Sequence, residues 1–182
     1  MPAPTIDNHP TDPQSESNIA TLLPEVQLLA RSLVHATAAQ GITIKVISGT
    51  RTYAQQDAIF MQGRVKDLAK INAARKAASL DPIPASENVI RTKARAGQSN
   101  HNFGIAFDIG VFLGKKYLEE SPLYKAVAVL GKQLGLTWGG DWKSIDDEPH
   151  YELRPHWADA LSEAAMLAEL RKRHDANTPV FA

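Results

Sequence analysis

Two histidines and one aspartate give the first chemical indication in this chain. His101 and Asp108 stand seven positions apart in Ser99-Asn100-His101-Asn102-Phe103-Gly104-Ile105-Ala106-Phe107-Asp108. His150 follows downstream in Asp147-Glu148-Pro149-His150-Tyr151. Two imidazoles and a carboxylate suit zinc, which in catalytic sites takes three protein ligands and leaves one position for water. Asp108 is embedded in Ala106-Phe107-Asp108-Ile109, where burying an unpaired carboxylate would cost several kcal/mol. A metal or another cation must therefore pair with it. The chain has no cysteine, so nitrogen and oxygen must hold any metal, and disulfides and cysteine nucleophiles are excluded.

A catalytic zinc needs a nearby group to take a proton from its water and return it to the leaving amine. Asp146, Asp147 and Glu148 cluster just before His150. Strand parity favours Glu148 on the face of His150, but Pro149 interrupts regular extension. Asp147 and Glu148 both remain candidates on this reading.

Several elements must position these groups. Residues 1–17 are polar and carry four prolines, and read as a flexible tail without helix or strand. A helix starts at Pro24, a residue suited to a first helical position, and Val26, Leu29, Leu33 and Ala36 recur at helical spacing until Gly41. The β-branched run 42–48 reads as a strand, ending in Gly49-Thr50-Arg51-Thr52-Tyr53, a turn of the kind that presents functional side chains. A helix over 53–62 turns Ala54 and Ala58 inward, and an alanine-rich helix spans about 66–79. Residues 103–112 read as a strand, 122–134 as a helix, 136–138 and 151–153 as short strands, and 156–173 as an amphipathic helix with Trp157 and Leu161 inward. Strands mixed with irregularly placed helices, without regular βαβ alternation, predict an α+β fold.

At 182 residues the chain fits one domain, expected over 18–182 after the tail at 1–17. Twenty basic residues balance twenty acidic ones, which removes any global electrostatic argument for nucleic acid. No apolar run approaches the ~20 residues that cross a bilayer, so no stable membrane insertion is expected. The N-terminus has no basic, then apolar, secretory pattern. Local charge is uneven: Arg64, Lys66, Lys70, Arg75, Lys76, Arg91, Lys93 and Arg95 face only Asp67, Asp81 and Glu87. This segment either attracts an anionic polymer or is a solvated helix face.

The pattern Ser99-x-His101-x-x-Gly104-x-Ala106-x-Asp108, followed by Asp147-x-x-His150, resembles the zinc peptidases that cut bacterial peptidoglycan stem peptides. That family includes the vancomycin-resistance D,D-dipeptidases and carboxypeptidases and the L-alanyl-D-glutamate peptidases of phage endolysins. The endolysin branch is matched further by Ser48-Gly49-Thr50-Arg51-Thr52-Tyr53-Ala54-Gln55-Gln56, Gln62-Gly63-Arg64 and Trp138-Gly139-Gly140-Asp141-Trp142. The likeness runs in order over about 22–155. It implies a hedgehog/D,D-peptidase-like domain with a small, mostly antiparallel sheet flanked by helices. It also implies zinc (Zn2+) ligated by His101, Asp108 and His150, Asp147 as general base, and Arg51 on the oxyanion of the tetrahedral intermediate. Tyr53, Gln56 and Ser99 match positions lining the substrate cleft. The basic insertion, about 65–88, is longer than the family's connection there and suggests a lid or added substrate wall. Glu148 is also unusual and stays an alternative base.

The function so implied is hydrolysis of the L-alanyl-D-glutamate bond by a monomeric, endolysin-like enzyme. Such an enzyme would wait in the cytoplasm until a holin or other route released it to the cell wall. Three alternatives share the sequence pattern: a D,D- or L,D-carboxypeptidase, an injected antibacterial effector, and an inactive zinc-containing module that only binds cell wall.

Overall fold

The computed structural model describes residues 4–143 and 146–182. By its internal contacts the chain forms two compact units, one of Met1–Thr50 with Gly104–Asp159 and one of Arg51–Phe103 with Ala160–Ala182.

The first unit is built on an antiparallel sheet. Strands β1 (Thr43–Ser48), β2 (Ala106–Leu113), β4 (Thr137–Trp138) and β5 (His150–Glu152) lie in the order β1-β2-β5-β4, and β3 (Lys116–Leu118) also pairs with β2. Helices α1 (Pro13–Ile19), α2 (Pro24–Ala39) and α5 (Leu123–Gln133) complete the unit. The fold is α+β, with a small antiparallel sheet accompanied by helices, as the element pattern predicts.

Register explains how this sheet carries a site. Phe107 pairs with Tyr151, and their rings stack at 5.8 Å. With Ile109, Val111, Val46 and Ile44 they contribute to a buried apolar core. Side chains alternate along a strand, so Ala106 and Asp108, with their partners Glu152 and His150, project from the other face.

The expectation that 1–17 lacks a helix is corrected by α1, which begins at Pro13. Asp12 caps it, its side chain accepting from the backbone N–H groups of Gln14 and Ser15, and proline occupies the first position, both strong helix-start features. The helix is stitched to the outer edge of β1. Ser15 Oγ accepts from the Val46 N–H at 3.0 Å, and Asn18 Nδ2 donates to the Val46 carbonyl at 2.9 Å.

The second unit contains α3 (Tyr53–Phe60), α4 (Leu68–Ala77) and α6 (Glu163–Asp175). Thr52 and Gln55 close a capping box at the start of α3. Gln56 and Ala58 are its buried residues, and Ala54 is exposed, against expectation. The basic insertion has internal anchors. Asn72 exchanges two hydrogen bonds with the Ile83 backbone, Arg75 donates to Gln62 Oε1 and the Asp81 carbonyl, and Asn88 bonds Gly63 and Val65. Arg64 and Arg95 both lie over the Phe60 ring, at 3.8 and 4.7 Å. Part of the local basic excess is therefore spent on packing. The helix expected from 156 starts only at Glu163, because Ser162 caps it by accepting from the Ala165 N–H and 156–158 form a separate 3-10 turn.

Candidate active site

His101 sits in a 3-10 turn, Asn100–Phe103, in which all four residues are buried. The asparagines on either side fix the turn. Asn100 Nδ2 donates to Glu163 Oε1 at 2.8 Å. Asn102 Nδ2 donates to the Arg51 carbonyl at 2.9 Å, and its Oδ1 accepts from the Gly97 N–H at 3.0 Å. The Arg51 N–H in turn donates to the His101 carbonyl at 3.0 Å, so the predicted oxyanion partner adjoins the first predicted ligand through the backbone. Gly104 follows at φ +72°, and a Cβ there would press on Leu23 at 3.0 Å. Only glycine takes that conformation without strain.

Asp108 and His150 are direct cross-strand partners. His150 Nδ1 lies 3.2 Å from Asp108 Oδ1, and Nε2 lies 3.1 Å from Glu152 Oε2. Burial alone would disfavour an imidazolium here, but hydrogen bonds and charge from Asp108 and Glu152 outweigh it and push the His150 pKa up to about 10. Cation-seeking character is thus built into the pair of carboxylates around this ring.

Among the described residues, His101, Asp108 and His150 form one group whose ligand atoms all lie within 4.8 Å of one another. Two imidazole nitrogens and a carboxylate oxygen match the donor set that zinc accepts, and the residues present therefore fit a bound zinc.

The loop before β5 is held from β4. Trp138 Nε1 donates to the Glu148 carbonyl at 2.7 Å, the Asp147 N–H approaches the Gly139 carbonyl at 3.4 Å, and the His150 N–H donates to the Asp147 carbonyl at 3.1 Å. A Cβ on Gly139 would stand 2.6 Å from the Asp147 carbonyl oxygen and 3.0 Å from His150 Cβ. The Trp138-Gly139 pair thus determines where Asp147 stands. Asp147 is half-buried, and the Trp142 ring lies 4.8 Å from the His150 ring.

The positions matched to the substrate cleft fare differently. Ser99 is half-buried and its carbonyl accepts from the Asn102 N–H. Tyr53 stacks on His174 at 4.8 Å and meets Phe103 edge-on, with burial raising its pKa. Gln56 is fully buried, and its amide nitrogen donates to the Ala94 carbonyl and Thr92 Oγ1, which ties α3 to the 92–94 segment.

Comparison with known proteins decides the family. A family model described as D-alanyl-D-alanine carboxypeptidase matches residues 92–153. The peptidoglycan L-alanyl-D-glutamate endopeptidase CwlK of Bacillus subtilis is 31% identical over 145 residues, covering 74% of this chain and 75% of its own. This chain belongs to that peptidase family. Its fold is also that of the Serratia marcescens L-Ala D-Glu endopeptidase ChiX (21% identity, 78% of this chain, 87% of the other, TM-score 0.50). A Zn(II) complex of the vancomycin-resistance D,D-pentapeptidase VanY shares it too (19% identity, 87% and 81%, TM-score 0.51). The family match includes His101, Asp108, Asp147 and His150.

Glu152, buried beside His150, has no distinguishing mark in the sequence beyond standing two positions after it.

Proposed function

We propose that this peptidase is a zinc-dependent peptidoglycan hydrolase that cuts the L-alanyl-D-glutamate bond of stem peptides. The gathering of His101, Asp108 and His150 within 4.8 Å carries the reading, and the likeness to an L-alanyl-D-glutamate endopeptidase supplies the bond. His101, Asp108 and His150 would hold the ion, which when bound supplies Lewis acidity and an acidified water.

The chain's own groups do the rest. Asp147, three residues before His150, accepts the proton of the attacking water and returns it to the leaving amine. Arg51, tied to His101 through the backbone, offers a fixed positive charge to the developing oxyanion. Ser99 and Tyr53 would contact the stem peptide, and the enzyme acts as a monomer on the cell wall after release from the cytoplasm.

A second reading, a carboxypeptidase trimming the stem's D-alanine end, is favoured by the description of the matching family model. Mass spectrometry of purified sacculi digested with and without chelator separates the two. The proposal expects new L-alanine carboxyl and D-glutamate amino termini that vanish with chelator. Release of D-alanine alone would establish the carboxypeptidase, and chelator-resistant cleavage would overturn the metal mechanism.

A further inference from the structure

The two ring nitrogens of His150 are committed to different neighbours. Nδ1 faces Asp108 Oδ1 at 3.2 Å, on the side of the three-residue ligand group, and Nε2 faces Glu152 Oε2 at 3.1 Å. Glu152 is 1% exposed. Its backbone is fixed on both sides, by Ala106 of β2 and Thr137 of β4, and its side chain leaves β5 on the same face as His150. A carboxylate taken out of water in mid-sheet is costly unless it accepts hydrogen bonds, and the His150 imidazole stands within hydrogen-bond distance of it.

We propose that Glu152 is a positioning residue for the metal centre, accepting the His150 Nε2–H so that Nδ1 is turned to the ion. Metal-binding histidines characteristically donate their second N–H to a carboxylate or carbonyl, which fixes both tautomer and ring orientation. Glu152 lies behind the ring, on the nitrogen away from Asp108, so it neither ligates the ion nor meets substrate. Its rigid strand position lets it hold the ring plane before metal arrives. The inference rests on His150 being a zinc ligand.

The test uses the full chain loaded with zinc and reads metal binding, not turnover. Imidazole 15N–1H spectra of the wild type are expected to place the His150 proton on Nε2. Chelator-competition affinities are expected to fall about tenfold in Glu152→Gln, which keeps an acceptor oxygen, and up to about 100-fold in Glu152→Leu. Far-UV circular dichroism of the metal-free variants checks that they fold. Should Glu152→Leu not fold, the isosteric Gln variant and the wild-type tautomer decide the matter. A zinc-loaded wild type with its proton on Nδ1, or both variants binding zinc within twofold of wild type, overturns the positioning role. Zinc uptake unchanged in His150→Ala instead overturns the zinc reading itself.

Discussion

Asp108 Oδ1 and His150 Nδ1 meet 3.2 Å apart as direct partners across β2 and β5. The ladder beneath them rests on Phe107–Tyr151 and the buried aliphatics of β1 and β2, none of which needs the carboxylate. Asp108→Asn is therefore expected to remain folded while its zinc affinity drops at least tenfold. Metal content after gel filtration, read beside circular dichroism, checks this. A variant that retains stoichiometric zinc would remove Asp108 from the ligand set.

Asp147 and Glu148 both have anchored backbones. The Glu148 carbonyl is held by Trp138 Nε1 and the Asp147 carbonyl by the His150 N–H, and the proposed mechanism gives the base to Asp147. Asp147→Ala is expected to keep zinc and lose about 10²–10⁴ in turnover, and Glu148→Ala to stay within a few-fold of wild type. The opposite ranking in kcat on purified muropeptides would transfer the base to Glu148.

Gly139 is a steric test of the same loop. Its missing Cβ would lie 2.6 Å from a backbone oxygen of Asp147, which cannot swing aside as a flexible side chain would. Gly139→Ala is expected to cost about 1–3 kcal/mol in urea unfolding and to lower kcat together with stability. Wild-type values for both would mean that the loop does not need this close approach.

A pH effect is expected far from the site. Arg31 donates through Nε and Nη2 to the Glu16 carboxylate, and with the Thr11 bonds this outweighs burial and holds the Glu16 pKa down to about 2. A lowered carboxylate pKa adds stability above its unfolded value, about 4.5, and that contribution is lost as pH falls toward 2. The pair is partly solvated, so about 1 kcal/mol is expected. Urea unfolding should show wild type ahead of Glu16→Gln at pH 7 and level with it near pH 2.

Much of the site was legible because ligand chemistry constrains residue type and spacing together. His101, Asp108 and His150 stand out as polar groups in apolar company. Glu152 did not, because nothing in a three-residue strand distinguishes an acid buried against an imidazole from one facing water. The burial of Gln56 was equally hidden, since only the fold brings the Ala94 carbonyl and the Thr92 hydroxyl to its amide nitrogen. Composition concealed α1, since prolines at 10 and 13 weaken helix propensity even though Pro13 lies where a helix tolerates it. In α6 the apolar spacing of Trp157 and Leu161 continued the helical pattern backward across Ser162, and the cap marked the true start.

The bonds from Ser15 and Asn18 to Val46 have a consequence for self-association. β1 is the outermost strand, and a bare outermost strand offers its free backbone groups to any neighbouring chain. Here a helix of seven residues covers those groups on Val46 with its own side chains. A chain shortened to begin at residue 20 is expected to aggregate through β1 in a concentration-dependent way, measurable by sedimentation, while the intact protein stays dispersed. The proline-bearing leader thus acts as a cover against pairing between copies.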